Sequence, residues 1–194
     1  MIKTYYEVEK FGKKYSTTGK IKSKSFLVAF TSRLYVGMFG STVTTNKVAG
    51  TSDTMSGYGW IYDGFYNNMM AYNSSLGVVI LSGTNGIVIG SGTSAVTPTQ
   101  YALATQIVAG ITAGTMMYYP QWFTKYTISG STCSFIMERI FKNLSGGTIT
   151  VNELGIYEIV NNTNFCMLRD KLAVGVAVLN TEYLKVKYTI SVTC

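Results

Sequence analysis

Hydrophobic and polar residues alternate with a period of two through most of the second half of the chain. The clearest run is Glu182 to Val192, with Leu184, Val186, Tyr188, Ile190 and Val192 on one face. Lys185, Lys187, Thr189 and Ser191 take the other. Comparable runs fall at 78–81, 87–89, 122–128, 134–142, 148–157, 164–169 and 173–178. Turn-forming residues separate them: Ser82-Gly83, Ser129-Gly130-Ser131, Ser145-Gly146-Gly147, Asn161-Asn162 and Asn180-Thr181. This spacing predicts a mainly β chain whose residues 76–194 form an antiparallel β-sandwich, jelly-roll or immunoglobulin-like.

Upstream the pattern changes. Residues 26–75 open on Phe26, Leu27, Phe30 and Leu34, which fit one face of a short helix with Ser25 as its N-cap. The same run would also serve as a strand; a helix is the preferred reading. The remainder, to residue 75, is crowded with turn residues and aromatics and predicts irregular structure or loose hairpins. Residues 1–25 hold Lys3, Lys10, Lys13, Lys14, Lys20, Lys22 and Lys24 against Glu7 and Glu9, giving +5 of the chain's +7. They read as a basic, extended N-terminal arm, dispensable for folding, that either stays solvated or grips an acidic neighbouring surface. The arm has no arginine and no groove-reading motif, so nucleic acid is not its expected partner.

Composition removes most catalytic chemistries. With no histidine there is no Ser-His-Asp triad, no Cys-His dyad and no His-ligated metal. Residues 64–124 contain no Asp, Glu, Lys or Arg, and the nine acids form no recognisable catalytic cluster. Cys133, Cys166 and Cys194 are odd in number and lack C-x-x-C spacing, which fits neither a zinc site nor a disulfide framework. They fit folding in a reducing cytoplasm. Gly86, Gly90 and Gly92 are closely spaced, but no G-K-[ST] follows. That segment reads as a short strand ended by a glycine turn, after which Thr97-Pro98-Thr99 opens either a helical turn or a surface strap. No apolar run approaches the roughly 18 residues of a membrane span, and no secretory leader is expected. The expectation is a protein without catalysis, cofactor, metal or membrane.

Glu153 stands out against this pattern. It falls on the apolar side of its strand, after Ile149 and Val151, and a carboxylate facing inward is costly unless paired. Arg139 shares its phase with Phe135, Met137 and Phe141, and Arg169 follows Met167 by two. Arginine suits such a site, because its planar fork meets a carboxylate through two hydrogen bonds and stays charged when buried. A structural ion pair is the preferred reading over a ligand pocket, with Arg139 the first-choice partner and Arg169 the second.

The segments RIFKNLSGGTITVNELGIYE and FCMLRDKLAVGVAVLNTEYLKVKYTISV resemble a C-terminal module of virion proteins of tailed bacteriophages, including crAss-like phages. Arg139, Asn143, Glu153, Gly155, Arg169, Asp170, Tyr188 and Thr189 stand at the matching positions, and GIVIGSGTSAVTPTQYALATQI is similar to an upstream element of that group. Order and spacing agree over residues 86–193. The resemblance implies a β-sandwich structural subunit, made in the host cytoplasm and carried in the virion as a capsid decoration or head-neck-tail connector. Its partners would be other virion proteins and its own copies. The alternative is a module that binds glycans on the host surface.

Overall fold

The computed structural model describes residues 1–12, 16–23, 26–32, 42–56, 85–124, 126–160 and 163–193. The strands are β1 (Ile2–Phe11), β2 (Ser16–Thr17), β3 (Ile21–Ser23), β4 (Thr42–Asn46), β5 (Ser52–Ser56) and β6 (Gly86–Gly90). They continue as β7 (Met117–Phe123), β8 (Thr127–Ser129), β9 (Thr132–Lys142), β10 (Ile149–Val160), β11 (Thr163–Val178) and β12 (Tyr183–Thr193). Residues 28–32 are helical, as the Phe/Leu spacing predicts. The expected Ser25 cap and the expected strand 78–81 lie outside the described residues.

Two antiparallel sheets pack face to face as a β-sandwich. The larger runs β2-β1-β12-β9-β7, with β3 also on β1 and β8 also on β9; the smaller runs β11-β10-β6. Between them lie Met137, Phe141, Leu184, Val186 and Tyr188 from the larger sheet and Ile87, Ile89, Leu154, Ile156 and Leu168 from the smaller, each at most 1% exposed. The alternation of β12 holds at Leu184, Val186 and Tyr188, then fades: Ile190 is half-buried and Val192 exposed. The sheet outruns the layer that covers it.

The basic leader is not a free arm. Residues 2–11 pair with β12 along their whole length, from Ile2 opposite Val192 to Phe11 opposite Tyr183. The reason is its own alternation: Thr4, Tyr6 and Val8 are buried, while Glu7 and Glu9 face Lys187 and Lys185. Glu9 lies 2.6 Å from Lys185 and 3.3 Å from Lys187. Slight burial pushes the Glu9 carboxyl up, but these two ammonium groups outweigh it and hold it below the usual range. A carboxyl lowered in the folded state stabilises above its unfolded pKa and loses that contribution as pH falls, so acid loosens the β1–β12 contact.

The smaller sheet departs from expectation once. Asn164–Arg169 and Ala173–Val178 belong to one sixteen-residue strand, not two. The interruption is a bulge: β11 advances from Lys171 to Val176 while β10 advances from Glu153 back to Val151. Gly175 sits in it, where a side chain would collide with Asn152.

Because β1 contributes buried residues and a full ladder, deleting residues 1–11 is expected to abolish cooperative unfolding or lower the melting temperature by more than about 10 °C. Circular dichroism melts check this, and a truncated chain melting like the full one would restore the arm.

Candidate functional site

Glu153 lies in the centre of β10 with its side chain fully buried. It sits diagonally from Arg169, since Gly155 is the residue opposite Arg169. A Cβ on Gly155 would lie 2.9 Å from Leu103 Cδ2, so the glycine makes room for Leu103 on that face. Arg169 Nε donates to Glu153 Oε2 at 2.7 Å, and both side chains have no solvent exposure. The backbone N–H groups of Gly92 (3.0 Å) and Thr105 (2.8 Å) donate to Oε1, and that of Ala104 (3.0 Å) to Oε2. Four donors thus converge on one carboxylate.

The three backbone donors belong to a strap, residues 91–110, that leaves β6 and crosses the face of the smaller sheet. Arg169 holds its first half: Nη1 donates to Gln100 Oε1 (2.6 Å) and the Ala95 carbonyl (3.3 Å), Nη2 to the Ser94 hydroxyl (3.0 Å) and carbonyl (3.2 Å). Farther along, Leu103 N–H donates to the Tyr157 hydroxyl at 2.8 Å, and Asn152 Nδ2 to the Ser91 carbonyl at 2.8 Å. The segment after Pro98 is therefore a strap rather than a helical turn. The glycines are explained as well. A Cβ on Gly90 would lie 2.6 Å from Glu153 Oε1, and one on Gly92 would strike the same oxygen. The glycine loop does cradle an anion, but the anion is the protein's own carboxylate.

Arg139, the first-choice partner, does not meet Glu153. It points into the sandwich from β9 and donates to the carbonyls of Tyr119 (2.9 Å, Nε), Asn85 (2.8 Å) and Ile87 (2.9 Å). Its guanidinium lies 4.8 Å from the centre of the Tyr118 ring. Burial pulls it down to about 10, with the nearby Tyr118 working the other way, so it remains charged at neutral pH. The reason for its placement is the outer edge of β6. Ile87 N–H donates to Gln121 Oε1 (2.6 Å), its carbonyl accepts from Arg139, and Ile89 N–H donates to the Tyr118 hydroxyl (3.4 Å). Side chains of the larger sheet thus serve the first part of this edge, and the strap serves the rest: Ile107 N–H donates to the Ile89 carbonyl (3.0 Å) and Ser91 N–H to the Thr105 carbonyl (2.8 Å).

The other resemblance residues are mostly internal too. Asn143 is fully buried and donates to the Gly147 and Val178 carbonyls, tying two turns together. Asp170 accepts from the Tyr188 hydroxyl at 3.1 Å across the two sheets. Thr189 is partly exposed on β12.

Of the leader lysines, Lys10 pairs with Glu182 at 3.4 Å and Lys20 lies 4.8 Å from the Tyr5 ring centre. Lys3 and Lys22 are in β1 and β3; Lys13, Lys14 and Lys24 lie outside the described residues. Among the described residues no cluster of three His, Cys, Asp or Glu is placed to hold a metal. No family model, curated protein or solved structure matches the chain.

Glu153→Gln keeps the shape but turns an amide NH2 toward groups that are all donors. Breaking a buried pair in this way costs about 3–5 kcal/mol, a large part of a typical stability of roughly 5–15 kcal/mol. Denaturant unfolding of Glu153→Gln, Arg169→Met, Arg139→Met and the two doubles containing Glu153→Gln tests the assignment. Glu153→Gln should couple with Arg169→Met and be additive with Arg139→Met. Coupling to Arg139 instead would reverse the pairing.

Proposed function

We propose that the chain is a non-enzymatic structural subunit of a tailed-phage virion, a capsid decoration or head-neck-tail connector that binds neighbouring virion proteins. One observation carries the non-catalytic part: the three inward charges, Glu153, Arg169 and Arg139, are engaged with the chain's own backbone and side chains. Glu153 meets four donors, and Arg169 and Arg139 meet the strap and the β6 edge. A catalytic carboxylate needs a face open to substrate, and Glu153 has none. The virion part rests on the resemblance over residues 86–193, whose matched residues are mainly those that hold the sandwich together. The resemblance therefore speaks to the scaffold, and placement on a particle falls to the surfaces around it.

Among the described residues no helix is long and apolar enough to cross a membrane, which leaves β-barrel spans unaddressed. A second reading, glycan binding, has one feature in its favour. A cleft of about 150 Å³ is lined by Val28, Ala29, Thr45, Asn46, Thr99, Gln100 and Tyr101, whose polar groups are uncharged. It is smaller than the roughly 300–1,000 Å³ of ordinary ligand pockets, and Gln100 is already engaged by Arg169.

Mass spectrometry of density-purified particles, with antibody labelling under the electron microscope, tests the proposal. The protein should co-purify at a fixed copy number per particle and label one position. Absence from particles, together with saturable binding on a glycan array, would favour the second reading.

A further inference from the structure

The larger sheet ends in a long, nearly uncharged edge. β7 and β8 both run along β9, and among the described residues no strand pairs with their far side. Between residues 117 and 129 the only charged residue is Lys125. Proteins guard such edges with charges, prolines or bulges, because bare backbone N–H and C=O groups there recruit another strand. Pro120 and the register shift between Tyr118 and Gln121 guard only the first half. The second half carries Trp122, Tyr126 and Ile128, which are 64%, 57% and 70% exposed.

A second pattern meets this edge. Ile2 lies opposite Val192, Val192 opposite Cys133, and Cys133 opposite Ile128. Paired residues share a face, so these four form one apolar row across β1, β12, β9 and β8, all on the part of the sheet that outruns its partner layer. Ile2 is 38% and Val192 43% exposed, and Cys133 is exposed as well. The row stops at Ile128, on the edge itself.

We propose that this edge is a homodimer interface, in which two copies pair β8 to β8 antiparallel about Ile128. A two-fold axis there sets Ile128 against Ile128 of the second copy and continues the apolar row into its mirror without a break. Such a contact is isologous and closes on itself. Charge selects the same occupant. Two chains of net charge +7 repel, and this edge lets them approach with little charge between them. An acidic partner would gain little from an edge with a single lysine. The inference concerns a surface of the isolated chain and stands apart from its placement in a virion.

The test is sedimentation equilibrium of the purified full chain, with Ile128→Lys as the variant. The wild type should sediment at twice the monomer mass, and Ile128→Lys should raise the dissociation constant by about 100-fold or more while melting like the wild type. Register is tested in a Cys133→Ser background. Antiparallel pairing about residue 128 sets residue 127 of one copy opposite residue 129 of the other. An oxidised mixture of Thr127→Cys and Ser129→Cys chains should then give mainly the mixed disulfide dimer. A wild type still monomeric at about 1 mM, a dimer unaffected by Ile128→Lys, or crosslinks with no preference for the mixed pair would each overturn the proposal.

Discussion

A carboxylate with no solvent exposure has to be met by donors, and in this chain that requirement organises one whole face of the sandwich. Glu153 collects an arginine and three backbone N–H groups. The three N–H groups come from two stretches of the strap separated by about a dozen residues, so the carboxylate closes a loop that has little regular hydrogen bonding of its own. Arg169 then carries the constraint outward to Ser94, Ala95 and Gln100. The pair is therefore less a bond between two side chains than a fastener between a sheet and the segment that covers it. Its energy lies mainly in what loss of the carboxylate would orphan: three backbone N–H groups and a guanidinium.

The same logic recurs at the other buried arginine. β6 is the edge strand of a three-stranded sheet, yet its outer groups are in the protein interior, where unsatisfied backbone is expensive. Arg139, Gln121 and Tyr118 reach across from the larger sheet to satisfy them. Gly86 makes this possible, because a Cβ there would press on the Gln121 amide. One charged and two neutral side chains, with the backbone of residues 105–107, thus do the work of a further strand. Their cost is a sheet pair with little tolerance for change at Gly86, Gly90, Gly92, Gly155 and Gly175, each of which lies against a side chain or backbone group of the network or its bulge.

Much of this was legible in the residues, and the exceptions have physical causes. Strict alternation marked β9, β10 and β12, and the inward phase of Glu153, Arg139 and Arg169 marked all three as buried. Which arginine met Glu153 was not legible, because phase along a strand does not say which sheet the strand joins. β9 and β10 fall in different sheets, whereas β10 and β11 are neighbours. In the leader seven lysines mask the alternation that decides its place: Thr4, Tyr6 and Val8 are the stronger signal, and Glu7 and Glu9 are the complement of Lys187 and Lys185. The glycines at 90 and 92 announced a close approach without naming what approached. The donors to Glu153 were invisible, since backbone N–H groups carry no sequence signature.

The central claim is that Glu153 fastens the strap as part of the cooperative fold. Native-state hydrogen exchange of the Gly92, Ala104 and Thr105 amides reads it most directly. The account predicts that these three exchange only through the global unfolding that also governs the Val186 and Ile156 amides, although Ala104 and Thr105 lie in a segment with exposed side chains. Exchange of all three at the rate of an open surface loop, with the strands still protected, would contradict it.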